Sequence, residues 1–210
     1  MREKMPSVHA RTVPFEMPDN ANFATLVSLA AHDLRTPLAT VSGFAKTLSR
    51  TVELEEPAAR YVQMIEAASD QLAELLDQLG LAARIQGGRY EPTLREADTL
   101  ELARAAAATL GEERVHASGT GGAVRVDPEP TESAVTALVR CALRHGGLES
   151  VEVTATGPEL AIAPITAASA PVVLGEDIRD LGAAVAVLLV RTLGGVVEID
   201  GDTLRVRLPQ

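Results

Sequence analysis

The stretch His32-Asp33-Leu34-Arg35-Thr36-Pro37-Leu38 decides how this chain is interpreted. It places a histidine beside a carboxylate within a helical pattern, with a proline about one turn later. A proline inside a helix removes a backbone donor and clashes with the carbonyl four residues earlier, at a cost of roughly 3 kcal/mol. Because a long helix rarely carries that cost without a reason, the stretch is a candidate site, and we predict a kink at Pro37.

Apolar residues around this stretch recur at steps of three and four, the spacing of a helix that packs into a bundle or coiled coil. The positions are Phe23, Val27, Ala30, Leu34, Pro37, Val41, Ala45, Leu48 and Val52. They form one stripe roughly 100° wide, and His32 projects about 170° away from its middle. Thr36 lies on nearly the same side as His32. We therefore expect the helix to bury Leu34 and Val41 and to present His32 and Thr36 to solvent or to a partner.

A second helix is predicted after a short turn. Pro57 can occupy its first position, and a heptad-like stripe continues to about Arg84 before Gly87-Gly88 ends it. The stripe consists of Val62, Ile65, Ser69, Leu72, Leu75 or Leu76, Leu79 and Ala82. Two such helices form an antiparallel hairpin that cannot bury its stripes alone. We therefore expect a homodimer through residues 20–86, in which two hairpins form a four-helix bundle.

The second half of the chain predicts an α/β sandwich over residues 97–210, so the fold class is α+β. The predicted helices are 97–110, 128–145 and 181–193, and the predicted strands are 114–117, 123–126, 151–153, 160–162, 196–199 and 204–208. Asp127 is a good N-cap, with Pro128 at the first helical position. Residues 1–19 are predicted to be a disordered tail, and residues 87–96 a linker.

This chain resembles the sensor histidine kinases of two-component systems. The resemblance is to their H-box, and it lies in residues 31–38 together with Gly43 and Leu48. Residues 97–210 are similar to the HATPase-like, ATP-binding domain of the same family. The resemblance implies a HisKA-type dimerisation and histidine phosphotransfer domain at residues 20–86, followed by that second domain. It covers essentially the whole chain, although only the H-box is highly specific.

This resemblance implies roles for four residues. His32 would be the phosphoacceptor, whose neutral imidazole attacks the aspartyl phosphate of a receiver domain. Asp33 would orient the ring tautomer or act as acid or base. Arg35 would offset phosphate charge, and Thr36 would orient a water for phosphatase activity. The implied partner is a response-regulator receiver domain that carries its own Mg²⁺.

The family's nucleotide-binding boxes are not matched. Cys141 stands in the register of the asparagine that holds Mg²⁺ and phosphate, and a thiol is a poor Mg²⁺ ligand. Residues 161–165 lack the aspartate and glycines that bind adenine, and residues 180–184 keep one glycine, Gly182. The lid, at about residues 165–178, is short and apolar. We therefore expect a degenerate domain with no confident cofactor, and these departures argue against ATP binding.

The remaining candidates favour structural roles over chemistry. Gly119-Thr120-Gly121-Gly122 is not followed by a helix or by Lys-Ser/Thr, so it is predicted to be a flexible turn and not a phosphate loop. Cys141, the only cysteine, is predicted to be a small core residue. His116 and His145 have no nearby ligand partners in the sequence, and His9 falls in the tail. We predict no metal site.

Composition limits the partners. The net charge of −10 argues against binding to nucleic acid or to an anionic membrane surface. No apolar run reaches the roughly 18–20 residues of a transmembrane helix, and the N-terminus lacks the apolar region of a signal peptide. The single cysteine fits a reducing compartment. We therefore expect a cytoplasmic protein without membrane insertion.

Three functions stay open at this point. The first is a phosphorelay protein that transfers phosphoryl groups between His32 and a receiver aspartate, with phosphatase activity as a second reaction. The second is a conventional autophosphorylating histidine kinase with a divergent ATP site. The third is a non-catalytic scaffold that binds a receiver or a kinase. His32, Asp33 and Thr36 together favour the first over the third, and the unmatched boxes favour the first over the second.

Overall fold

The structure is a computed structural model that describes residues 20–210, as two long helices followed by a mixed α/β domain. The helices are α1 (Asn20–Thr51) and α2 (Ala58–Gln86). Pro57, predicted at the first helical position, is the N-cap of α2, one residue earlier, and Gly87 is the C-cap, which agrees with the predicted stop. The predicted tail, with His9, lies outside the described residues.

Small side chains bring α1 and α2 together. The buried residues of the hairpin are Ala24, Ala31, Ala45, Val62, Ser69, Gly80 and Ala83. The stripe predicted to be buried lies beside this seam, so Leu34 and Val41 are 55% and 50% exposed in the single chain. Their expected burial is therefore wrong for one hairpin, because the alanine face, and not the leucine and valine face, packs against α2.

The α/β domain contains seven strands and four helices within the described residues. They are β1 (Arg95–Asp98), α3 (Thr99–Leu110), β2 (Val115–Gly121), β3 (Ala123–Val126), α4 (Pro128–Gly146), β4 (Val151–Gly157), β5 (Glu159–Ala163), α5 (Ala170–Val173), α6 (Leu181–Thr192), β6 (Val196–Asp200) and β7 (Thr203–Arg207). The main sheet has the order β2-β4-β5-β7-β6, with β2 and β4 parallel and the other neighbours antiparallel. β1 and β3 form a separate antiparallel pair.

One face of the main sheet carries the core. Buried and more exposed residues alternate along β4, β5 and β7, which is the pattern of a sheet covered on one side. The largest fully buried side chains come from both layers and include Leu138, Leu160, Ile162, Leu189 and Leu204. The predicted fold class, a helical hairpin followed by an α/β sandwich, is therefore confirmed.

The predicted linker is fastened to the α/β domain. Asp127 occupies the N-cap of α4 as predicted, but its carboxylate does not cap that helix. Instead it accepts hydrogen bonds from the Tyr90 hydroxyl at 2.8 Å and the Thr93 amide at 3.3 Å. Burial and this hydrogen bond raise the pKa of Tyr90 above its ordinary value. The chain between hairpin and sheet is thus held at the start of α4.

The structure differs from the predicted elements at the start of α3, at the end of the linker and at α5. The helix expected from residue 97 begins at Thr99, because the Asp98 carboxylate caps it by accepting from the amides of Leu100 and Glu101. β1 takes up the end of the linker predicted at 87–96. The short helix α5 was not predicted, since a single turn carries no periodicity to detect.

The glycine cluster predicted as a flexible turn is also corrected. Gly119, Thr120 and Gly121 belong to β2 and pair with Ala155, Thr156 and Gly157 of β4. Gly119 has φ +102°, and a Cβ there would run into the carbonyl oxygen of Ala155. The glycine is therefore required by the close approach of a neighbouring strand.

We predict that Gly119→Ala destabilises the protein more than Gly201→Ala. Both glycines have positive φ, but space around Gly201 is open whereas Gly119 abuts the backbone of β4. Gly201→Ala should cost about 1–2 kcal/mol from left-handed strain, and Gly119→Ala about 1–3 kcal/mol more from overlap. Urea unfolding monitored by circular dichroism measures both, and equal losses would show that the strand contact is absent.

Candidate functional site

His32 lies on an exposed side of α1. Its Nδ1 is 3.1 Å from the Asp33 Oδ1, and the two side chains are 75% and 67% exposed. A neutral imidazole that donates through Nδ1 carries its lone pair on Nε2, and the hydrogen bonds of the described residues leave Nε2 unpaired. The pair thus presents a nucleophilic nitrogen to solvent, with a carboxylate placed to hold the proton on the other nitrogen.

Thr36 and Pro37 follow one turn later, and both are exposed. α1 continues through Pro37 without a break, and the Thr40 hydroxyl donates to the Thr36 carbonyl at 3.2 Å. Pro37 has no amide to donate to the Asp33 carbonyl, which therefore lacks its usual donor four residues along the helix. The predicted side of the helix for His32 and Thr36 agrees with their exposure.

Arg35 is directed across the hairpin. Its Nη2 lies 2.6 Å from the Asp77 Oδ1 on α2, and it also lies beside the buried Gly80. The guanidinium therefore has a carboxylate partner of its own. Its expected part in offsetting phosphate charge stays a prediction.

Large apolar side chains form an exposed strip on the hairpin, which we call the apolar face. It consists of Phe23, Leu34, Val41 and Leu48 of α1, Val52 directly after α1, and Tyr61, Ile65, Leu72 and Leu75 of α2. At about 100° per residue in two antiparallel helices, the two stripes point to the same side of the hairpin, and His32 points to the opposite side. An exposed apolar surface of this kind marks an interaction site.

α2 also packs against the α/β domain, on α6 and α4. Leu81 and Ile85 join the edge of the main core, and the Arg140 Nη1 on α4 is 2.6 Å from the Glu74 Oε1 on α2. The contact is closest at Gly182 in the first turn of α6, where an added Cβ would lie 3.1 Å from both the Ala137 Cβ and the Gln78 Nε2. Gly182 therefore serves helix packing at the position expected for a phosphate loop.

The positions expected to bind a nucleotide are packed with protein. Cys141 and Ile162 are fully buried, and the cavity beside Gly182, which is lined by residues of α2, α4 and α6 but not by Cys141 or Ile162, has a volume of about 30 Å³. Pockets for small molecules typically measure roughly 300–1,000 Å³. Burial and the nearby Asp180 carboxylate raise the pKa of the Cys141 thiol to about 12, so the thiol is protonated at neutral pH.

The segment expected to be the lid folds onto the core. Val172 and Val173 are fully buried and α5 contacts both α4 and α6. Thr166 and Ser169 close the preceding turn, because the amide of each donates to the hydroxyl of the other, at 3.1 Å and 3.3 Å. The two valines of α5 are therefore part of the apolar core beside α4 and α6.

The prediction that His145 has no nearby ligand partners is wrong. Its Nε2 lies 3.2 Å from the Asp180 Oδ2, and the Cys141 thiol lies within 4.8 Å of both groups. Cys141 and His145 share one face of α4 because they are four residues apart, a spacing that the sequence displays. Asp180 could not have been found by spacing, since only the packing of α6 against α4 brings it there.

Comparisons with known proteins agree with this geometry. Residues 24–88 match the family described as His Kinase A (phospho-acceptor) domain. The probable sensor histidine kinase TcrY of Mycobacterium tuberculosis (strain ATCC 25618 / H37Rv) is 27% identical over 104 residues, covering 50% of this chain and 21% of TcrY. The hairpin with its exposed histidine is therefore similar to phospho-acceptor domains of histidine kinases.

Two solved structures share the fold of the hairpin and α/β domain together. Full-length ShkA in complex with AMPPNP aligns with a TM-score of 0.61 at 20% identity, covering 87% of this chain and 44% of the ShkA chain. The Acinetobacter baumannii histidine kinase AdeS aligns with a TM-score of 0.53 at 17% identity, covering 85% of this chain and 97% of the AdeS chain. The hairpin and the α/β domain together therefore have the fold of these two structures, and residues 24–88 match the phospho-acceptor domain family.

The chain spans about a fifth of the length of TcrY and less than half of ShkA. Among residues 20–210, no helix combines the length and the hydropathy that crossing a bilayer requires.

We predict that Val172→Ala destabilises the protein by about 1–3 kcal/mol, because it opens a void in a buried apolar contact. The matched change Val196→Ala, at a residue that is 45% exposed, should cost less than about 0.5 kcal/mol. Urea unfolding of both variants measures the difference. A neutral Val172→Ala would contradict the packed lid, as would rapid hydrogen exchange of the amides around residue 172.

Proposed function

We propose that this protein is a phosphotransfer member of the histidine kinase family that exchanges phosphoryl groups between His32 and the aspartate of a receiver domain. The observation that carries the proposal is the His32–Asp33 pair, exposed on the side of the hairpin opposite the apolar face. A receiver domain can reach this side while the apolar face is occupied by a second hairpin. Such exchange fits a cytoplasmic phosphorelay.

The chemistry follows from the two ring nitrogens. Nε2 attacks the phosphorus of the receiver's aspartyl phosphate, the N–P bond forms, and the P–O bond to the aspartate breaks to release its carboxylate. The proton on Nδ1 is held by Asp33, which stabilises the imidazolium that develops as Nε2 gives up its lone pair. The reverse sequence returns the phosphoryl group to a receiver, whose own Mg²⁺ neutralises charge on the transferred group.

Thr36 fits a second reaction on the same face. Its side chain is exposed one turn from His32, where a hydroxyl is within reach of the phosphorylated aspartate of a docked receiver. There it orients a water for attack on the phosphoryl group, which makes the protein a receiver phosphatase.

In the proposed function, the α/β domain does not supply phosphate from ATP. The support is the buried thiol of Cys141 at the position of a Mg²⁺ ligand, the packing role of Gly182, and the valines of α5 between the helices. A thiol offers Mg²⁺ no hard oxygen donor. The phosphoryl group on His32 therefore comes from a receiver and not from ATP.

We also propose a homodimer through residues 20–86. The apolar face is continuous over both helices of the hairpin and has nothing packed on it in the single chain. A two-fold axis would place two identical faces against each other and build a four-helix bundle. His32 would then stand on the outside of the bundle, open to receivers.

The proposed function predicts labelling from a receiver and not from ATP. Receiver domains charged with a radiolabelled small phosphodonor should transfer label to the chain as an acid-labile, alkali-stable phosphoramidate. His32→Gln should abolish this label, and the matched change at the exposed His116 on β2 should retain it. In parallel, radiolabelled ATP with Mg²⁺ should leave the chain unlabelled while an intact histidine kinase is labelled.

The same receivers test Thr36. Thr36→Ala should slow the loss of phosphate from the receiver about tenfold or more, and Thr40→Ala, one turn further on, should leave it unchanged. Labelling from ATP that depends on His32 would overturn the degenerate site and favour a conventional kinase. Binding to receivers without any exchange of phosphate would instead favour the scaffold.

The homodimer predicts that Val41→Glu separates the hairpins. A carboxylate buried in an apolar interface costs several kcal/mol, so the dimer dissociation constant should rise about a hundredfold or more. The matched control is Ala39→Glu, which adds the same charge off the apolar face, on the side of His32. Sedimentation velocity over a concentration series measures both, and an unaffected Val41→Glu dimer would place the interface elsewhere.

A further inference from the structure

Cys141, His145 and Asp180 bring three different donor groups to one place at the junction of α4 and α6. The thiol, one imidazole nitrogen and one carboxylate oxygen all lie within 4.8 Å of one another. Cys141 is fully buried, and the side chains of His145 and Asp180 are 18% and 14% exposed. The group therefore has a sheltered inner donor and two outer donors that solvent can still reach.

The spacing suits a tetrahedral ion. Zn–S and Zn–N or Zn–O bonds of about 2.3 Å and 2.0–2.2 Å place neighbouring ligand atoms about 3.4–3.6 Å apart. The His145 Nε2 and the Asp180 Oδ2 are already 3.2 Å apart. The thiol needs to move by about an ångström at most, which a rotation of side chains within α4 supplies.

The second carboxylate oxygen holds Asp180 in place. Its Oδ1 accepts from the Ala183 amide at 3.0 Å and thereby caps α6, so Oδ2 keeps its direction toward His145. A ligand that is oriented by a hydrogen bond loses little freedom when an ion binds.

Charge and softness select the ion. A divalent cation with one thiolate and one carboxylate forms a neutral group, which a largely buried site tolerates. Sulfur and imidazole donors favour Zn²⁺ over Mg²⁺, which requires oxygen ligands in an octahedron. These three residues therefore favour Zn²⁺ over Mg²⁺, the ion that accompanies a nucleotide.

We propose that Cys141, His145 and Asp180 bind one Zn²⁺ ion, with a fourth ligand from solvent. On binding, the S–H bond of Cys141 breaks, the Zn–S bond forms, and that proton leaves to solvent. The His145 proton moves through solvent from Nε2, where it faces Asp180, to Nδ1, so the lone pair of Nε2 becomes available to the ion. The ion joins the last turns of α4 to the first turn of α6, and so fixes the same two helices against which α2 packs. The site does not depend on phosphotransfer at His32.

The test uses the full chain without a polyhistidine tag, stripped of metal and then given Zn²⁺ or Co²⁺. One Zn²⁺ per chain should bind with a rise in the Tm, and Co²⁺ should show the charge-transfer absorption of a cobalt–thiolate bond. Cys141→Ala should abolish that absorption and weaken Zn²⁺ binding about a hundredfold or more. Alanine fits a buried helical position, so the variant should fold.

Asp180→Asn is the sharper variant. Asparagine keeps the cap on α6 and the hydrogen bond to His145 but removes the charge that binds an ion. It should weaken Zn²⁺ binding at least tenfold with little change in the metal-free Tm, and His116→Gln should leave binding unchanged. Absence of the cobalt–thiolate absorption, or Zn²⁺ binding that is equal in Cys141→Ala and the parent, would overturn the site and leave a helix cap beside a core cysteine.

Discussion

The contact of α2, α4 and α6 at Gly182 positions the hairpin on the α/β domain. An added Cβ at Gly182 would lie 3.1 Å from both Ala137 and Gln78, so a side chain there would force its neighbours to shift by a few tenths of an ångström. The Glu74–Arg140 ion pair spans the same interface, but both side chains are more than a third exposed, and such pairs contribute at most about 1 kcal/mol. Close packing, and not charge, therefore determines the relative position of the two parts.

Small and large apolar side chains lie on different faces of α1. Alanines such as Ala31 and Ala45 face α2 and let the helices approach, whereas Leu34 and Val41 lie on the next face and stay exposed. His32 lies on a further face, opposite the large apolar residues. A single helix thus has one face packed in its own hairpin, a second that is apolar and exposed, and a third that carries His32.

The sequence predicted what depends on neighbours along the chain and missed what depends on neighbours in space. The periodicity of α1, α2 and α6 and the Asp127-Pro128 start of α4 are local, and the structure agrees with them. Gly119 was placed in a turn because its partner, Ala155, belongs to a distant strand. The spacing of Cys141 and His145, one helical turn apart, is visible in the sequence. Their closeness to Asp180 is not, because it depends on the packing of α6 against α4.

The region between α4 and α6 has to be filled whether or not a nucleotide binds there, because an empty space between buried helices is costly. Val172 and Val173 supply apolar filling, and the pair of His145 and Asp180 satisfies polar groups at the edge. α2 in turn packs on α6, one of the helices that this filling holds together.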